Sequence, residues 1–130
     1  MKQLKNYLMF LGMLFMFACQ SAGQAEYQLN ADDFEKKYAS MPDAQLVDVR
    51  TAQEFGGGHL AKAMNMDVKS SDFTSQITKL DKNKPVFVYC LAGSRSATAA
   101  DILRKEGFKQ VYELSGGFRA WTSAGKKIEQ

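Results

Sequence analysis

The run Pro85-Val86-Phe87-Val88-Tyr89 constrains this chain more than any other segment. A continuous apolar, β-favouring run leaves a strand no polar face to turn toward water, so both faces must be covered. A parallel strand inside an α/β layer structure, with helices packed on each side, meets that requirement. The rest of the sequence supplies the neighbours. Tyr27-Gln28-Leu29, Gln45 to Val49, Ala63 to Met66 and Gln110 to Leu114 read as further strands. Helical patterns fall between them. Asn30 can cap a helix through Tyr38, stopped by Met41-Pro42-Asp43, and Thr51 and Glu54 stand in capping-box spacing ahead of Gly56-Gly57-Gly58. Ser70 to Leu80 reads as a helix carrying Phe73, Ile77 and Leu80. Ser96 to Glu106 reads as another, with a stripe of Ala99, Ile102 and Leu103 ended by Gly107. Phe118 to Ala124, with Trp121, is a last short helix. The alternation predicts one α/β domain with a mostly parallel sheet. In such a sheet, functional groups lie where strand C-termini meet the next helix.

Cys90 stands at that place, between the most apolar strand and a helix, followed by Leu91-Ala92-Gly93-Ser94-Arg95-Ser96. Gly93 lets the backbone follow a tight curve. Successive amides can then face inward as an anion-binding nest, and the helix adds its positive N-terminal end. Such a turn favours a thiolate. Lowering a cysteine pKa from ~8.5 to ~6.5 takes about 2.7 kcal/mol. A helix N-terminus offers roughly 0.5–2 kcal/mol. Each hydrogen bond to a charged group adds about 1.5–3 kcal/mol. Two or three such contributions suffice without an adjacent base, and the one histidine, His59, is distant in sequence. The expected roles are Cys90 as nucleophile, Arg95 as an anion-binding cation at the rim, and Leu91, Ala92, Gly93, Ser94 and Ser96 as the cradle. The plainer alternative, a buried strand-end cysteine beside a solvated arginine, leaves the Gly and Ser residues of the turn unexplained.

Three segments resemble the rhodanese-like family. The first is Leu46-Val47-Asp48-Val49-Arg50 with Glu54-Phe55, Gly58-His59-Leu60 and Ala63-Met64-Asn65. The second is Cys90 to Ser96. The third is Val111-Tyr112-Glu113-Leu114-Ser115-Gly116-Gly117-Phe118 with Ala120-Trp121 and Ala124-Gly125. The resemblance implies a single domain with a five-stranded sheet flanked by helices, no metal and no organic cofactor. It implies a sulfurtransferase: the Cys thiolate takes sulfane sulfur from thiosulfate or from a persulfide or polysulfide donor. It then passes that sulfur to a thiophilic acceptor such as cyanide or a thiol. Some thiosulfate-using relatives carry extra basic residues in this loop, whereas Leu91 and Ala92 are apolar here. The remaining alternatives are a non-catalytic persulfide carrier or sensing module for a partner protein, and a Cys-based phosphatase or arsenate reductase. Related phosphatases have a loop one residue longer, usually with His before the Cys. Four residues separate Cys90 from Arg95 here and Tyr89 precedes, which favours sulfur over phosphate. Asp48, Arg50 and His59 are expected to fix loops, Trp121 to fill the core, and Gly116-Gly117 to make a tight turn.

Composition excludes other classes. The chain has 130 residues, 45% apolar and 24% charged, enough for one globular domain. Lys2 and Lys5 supply two of the three net positive charges, so a chain without residues 1–18 carries +1. The basic residues are scattered, with no aromatic-interleaved stripe, so nucleic-acid binding is not expected. A monomer is expected.

The N-terminal segment reads as an export signal. Lys2 and Lys5 precede an uncharged apolar run, Tyr7 to Ala18. As a helix it spans about 18 Å, too short for the roughly 30 Å hydrocarbon core. Residues 1–18 therefore resemble a signal peptide of the lipoprotein type. Cys19 would be the lipidated first residue, residues 19–25 a polar tether, and residues 26–130 the domain. The protein would be periplasmic or associated with the outer membrane. Ordinary cleavage after Gly23-Gln24-Ala25 is the alternative and gives a soluble periplasmic protein. The two are separable: Cys19→Ala should move the protein from the membrane to the soluble fraction, and retention at the membrane would defeat lipid attachment.

Overall fold

A computed structural model describes residues 27–130. The expected signal segment, its Cys19 and the tether lie outside the described residues. The strands are β1 (Gln28–Leu29), β2 (Gln45–Asp48), β3 (Met64–Asn65), β4 (Val86–Tyr89) and β5 (Val111–Leu114). They form one sheet in the order β1-β5-β4-β2-β3, and every pairing is parallel, so the mostly parallel expectation becomes an all-parallel sheet. The apolar run is the middle strand. All four residues of β4 have no measurable exposure, because it has a strand on each edge and a helical layer on each face.

Period-two alternation splits the core in two. Val86, Val88 and Cys90 face a layer containing Phe73, Ile77, Ala99, Ala100 and Leu103. Phe87 and Tyr89 face the other, with Phe34, Leu60 and Trp121. Cys90 thus continues the β4 alternation onto the first of these faces, and this decides which helix its sulfur meets.

The helices are α1 (Ala31–Ser40), α2 (Ala52–Gly56), α3 (Phe73–Gln76), α4 (Ser94–Lys105) and α5 (Gly117–Ser123). The Asn30 side chain caps α1 by accepting from the Asp33 amide at 2.9 Å. Phe34 of α1 meets Phe87 edge-on, with ring centroids 5.2 Å apart. The Thr51–Glu54 capping box forms at α2 as its spacing predicts.

Two helices differ from the sequence expectation. The segment 70–80 is not one helix: α3 covers a single turn and gives way to a 3₁₀ turn at Ile77–Lys79. Ser70 and Asp72 bond each other through their side chains, so neither caps a helix start. Phe73, Ile77 and Leu80 are spaced four and then three apart. Tightening the last turn keeps all three on the core face. The second difference is at α4, which begins at Ser94 rather than Ser96. Gly93 takes φ +117° as its N-cap, reversing the chain within three residues of the strand. Ser94, Arg95 and Ser96 therefore belong to the first helical turn, not to a loop before it. Ala99 and Ala100, both fully buried, let α4 lie close to the sheet.

Helix α5 closes over the end of β4. Gly116 and Gly117 both have positive φ, at +74° and +60°. The amides of Phe118 and Arg119 donate to the carbonyls of Cys90 and Leu91 at 2.8 and 3.1 Å. A Cβ on Gly117 would lie 2.5 Å from the Cys90 carbonyl oxygen, whereas one on Gly125, also at positive φ (+73°), would meet nothing within 4 Å. Gly125→Ala should therefore cost only the left-handed backbone penalty of about 1–2 kcal/mol. Gly117→Ala should cost distinctly more and lower Tm by a further several degrees, about 4–8 °C per kcal/mol. Equal losses in thermal unfolding would show that the close approach of α5 to the Cys90 turn does not matter.

Candidate active site

Cys90 is 1% exposed, and its sulfur lies inside the reversal from β4 to α4. The Gly93 amide donates to Sγ at 3.0 Å. The Ser96 hydroxyl oxygen lies 3.5 Å from Sγ and itself donates to the Gly93 carbonyl at 3.0 Å. Burial opposes ionisation of the thiol most strongly. The Ser96 hydroxyl and the amides of Ser96, Gly93 and Ala92 together outweigh it, and the pKa falls below its ordinary value. The Gly93 amide faces inward at the sulfur, as expected of this turn. The early start of α4 also leaves the Ser96 amide with no partner one turn back, since Ser96 is the third helical residue.

The six residues after Cys90 divide by position. Gly93 and Ser96 face the sulfur through the contacts just described, and Ala92 adds its amide. The Ala92 and Ser94 side chains are exposed and Leu91 is half-buried. Arg95 does not stand as a free cation at the rim. Its two terminal nitrogens donate to both carboxylate oxygens of Glu54, at 2.7 and 3.0 Å. A bidentate pair of this kind neutralises the guanidinium and fixes its plane. Glu54 is held in turn by the Thr51 hydroxyl and amide, at 3.1 and 3.3 Å. The hydrogen bonds from Arg95 pull its carboxyl down to about 2 against the opposing effect of burial, with Thr51 adding to the pull. Glu54 is the residue that reasoning from sequence left out of the site. Its signal was present as the capping box, but nothing local to residues 51–54 shows that the carboxylate also reaches Arg95, 41 positions away.

Beneath the turn lies a buried polar layer. Asp48 and Arg50 are 0% and 2% exposed and form a bidentate pair, and Arg50 also donates to the Gly58 carbonyl at 2.6 Å. The Arg50 guanidinium stacks 4.3 Å from the Phe118 ring centroid at the start of α5. Tyr89, next to Cys90, accepts from the Leu60 amide at 3.0 Å. Burial and the neighbouring Asp48 carboxylate push its phenol well above the ordinary range, so it stays protonated. Asp48 and Arg50 thus hold loops together. His59 stacks on Phe55 at 3.8 Å, pairs with the Phe55 carbonyl at 3.0 Å and bridges to Glu129. Trp121 is buried and donates to the Lys127 carbonyl at 2.9 Å.

Comparison with known proteins agrees with this architecture. The rhodanese-like domain model matches residues 30–124. The uncharacterized protein YqhL of Bacillus subtilis is 39% identical over 101 residues, 78% of this chain and 74% of that protein. A thiosulfate sulfurtransferase, GlpE, of Pseudomonas savastanoi is 43% identical over 79 residues, 60% of this chain and 72% of that one. Among solved structures, the rhodanese-like domain of the Anabaena protein Alr3790 superposes with a TM-score of 0.70 at 28% identity, covering 79% of this chain and 78% of that one. A family match from α1 to the end of α5, with relatives aligned over most of the same span, places the chain in the rhodanese-like domain family.

Proposed function

We propose that the protein is a sulfurtransferase that carries sulfane sulfur as a persulfide on Cys90. The observation that carries this reading is the set of donors around one buried sulfur, with the Gly93 amide at 3.0 Å and the Ser96 hydroxyl alongside. The thiolate attacks the sulfane sulfur of a donor such as thiosulfate or a persulfide. The donor S–S bond breaks and its electron pair leaves with sulfite or a thiolate. The amides that favoured the thiolate then serve the outer sulfur of Cys90–S–S⁻, another single negative charge in the same place. A thiophilic acceptor, cyanide or a thiol, takes that outer sulfur and returns the thiolate. Ser96 turns its hydroxyl from the Gly93 carbonyl toward sulfur when the thiol ionises. Similarity to GlpE, named as a thiosulfate sulfurtransferase, supports the reaction class. The protein acts in the periplasm or at the outer membrane, tethered by lipid on Cys19; support for this comes from the N-terminal sequence, Lys2 to Cys19.

Intact-mass measurement after exposure to thiosulfate or polysulfide should show a gain of about 32 Da, one sulfur atom, lost on adding cyanide and absent in Cys90→Ser. No adduct with any sulfane donor would overturn the reading. Adduct formation without repeated thiocyanate production would instead favour a persulfide carrier that serves one partner.

The pH dependence follows from the depressed thiol pKa. Reactivity should be constant above that pKa and fall as pH drops through it. Ser96→Ala removes a hydrogen bond to the charged form, worth about 1.5–3 kcal/mol. The midpoint for alkylation by iodoacetamide should therefore rise by about one to two pH units. An unchanged midpoint would remove Ser96 from the thiolate's support.

A further inference from the structure

The turn at Cys90 has amide donors for one negative charge, and the cation beside it is already spent. Each terminal nitrogen of Arg95 gives one N–H to Glu54, which pairs the guanidinium charge, and the Glu54 carboxylate is fixed independently by Thr51. An incoming anion meets a guanidinium whose charge is already balanced by a carboxylate at 2.7 Å. Asp67 also lies within the electrostatic reach of the guanidinium. The three side chains together are negative by one charge, and the Cys90 thiolate adds another. Arg50 offers no relief, because it is buried and paired with Asp48. Leu91, Ala92 and Ser94 bring no charge to the turn.

We propose that Glu54, by neutralising the charge of Arg95 beside the Cys90 turn, is a specificity-determining residue that turns the site away from dianionic donors such as thiosulfate and toward thiol-bound sulfane sulfur, R–S–SH. This rests on the persulfide reading of Cys90. With such a donor, Cys90–S⁻ attacks the terminal sulfur, the donor S–S bond breaks, and R–S⁻ leaves with the electron pair and gives Cys90–S–SH. The protonated form of the donor, which is the electrophile in this step, brings no second negative charge next to the thiolate. With thiosulfate, the same attack expels sulfite, and two further charges enter a mouth that is already negative.

The test compares thiosulfate with cysteine persulfide, using cyanide as acceptor and thiocyanate as readout. In the wild type, kcat/KM should be higher for cysteine persulfide by about tenfold or more. Raising ionic strength from about 0.02 M to about 0.5 M should increase kcat/KM for thiosulfate, because salt screens repulsion. In Glu54→Gln, the ratio of kcat/KM for thiosulfate to that for cysteine persulfide should rise about tenfold, mainly through KM for thiosulfate. In the double variant Glu54→Gln with Arg95→Gln, which restores the net charge, the ratio should return to about the wild-type value. A wild-type thiosulfate reaction that slows with added salt would overturn the proposal, and it needs no variant to fold. Parallel loss of both donors in Glu54→Gln would also overturn it, reducing the pair to a structural clamp. Absence of persulfide with either donor is a different result, since it would remove the underlying reading of Cys90.

Discussion

The Gly93 amide pointing at the Cys90 sulfur from 3.0 Å stands for the constraint on which the site depends. A buried sulfur with no free cation in contact must draw its counter-charge from the backbone. That requires the Gly93 amide and the Ser96 hydroxyl to converge on the sulfur within six residues of a strand end. Convergence requires the chain to reverse at Gly93 and enter α4 at once. It also requires the start of the turn to be held in place, which is the work of α5. Its first amides take the Cys90 and Leu91 carbonyls, which fixes the two peptides that lead from the strand into the turn. Gly117 has no side chain because the backbone of the turn occupies the space.

The polar layer under this turn explains how a short domain holds it rigid. Asp48 at the end of β2, the Gly58 carbonyl and the Phe118 ring join three separate segments through the one guanidinium of Arg50. Buried ion pairs are weak evidence of net stability, but removing one partner leaves an unpaired charge and costs about 3–5 kcal/mol. The pair therefore acts as a register pin between the sheet, the β2–β3 connection and α5. The Glu54–Arg95 pair repeats the device nearer the surface, joining α2 to the first turn of α4. Its consequence is chemical as well as mechanical, since the charge it neutralises is the one an anionic substrate would seek.

Most of the architecture could be read from residue order. The Pro85–Tyr89 run required a strand covered on both faces, and β4 is the buried centre of the sheet. Asn30, Thr51 and Gly107 marked helix ends because capping and left-handed turns are local chemistry. Reading was poorer where packing chose between similar local options. The segment 70–80 had the apolar spacing of a helix, yet the core accepts only one α-turn and one 3₁₀-turn there. At α4, helix propensity put the start at Ser96, while the reversal at Gly93 moved it to Ser94 and brought the Ser96 hydroxyl within 3.5 Å of the sulfur.

The sequence by itself determined that Cys90 ends a buried strand, that a glycine-bearing turn follows, and that a helix N-terminus comes next. These are properties of neighbouring residues. Only the tertiary structure decided what Arg95 is for. Its partner Glu54 is 41 positions away, and both residues look like solvated charges in their own segments. Pairing between distant charges depends on which helices the sheet order brings side by side, and no local pattern records that. The same holds for Gly117, whose lack of a side chain matters only because folding lays its backbone against the peptide planes of the Cys90 turn.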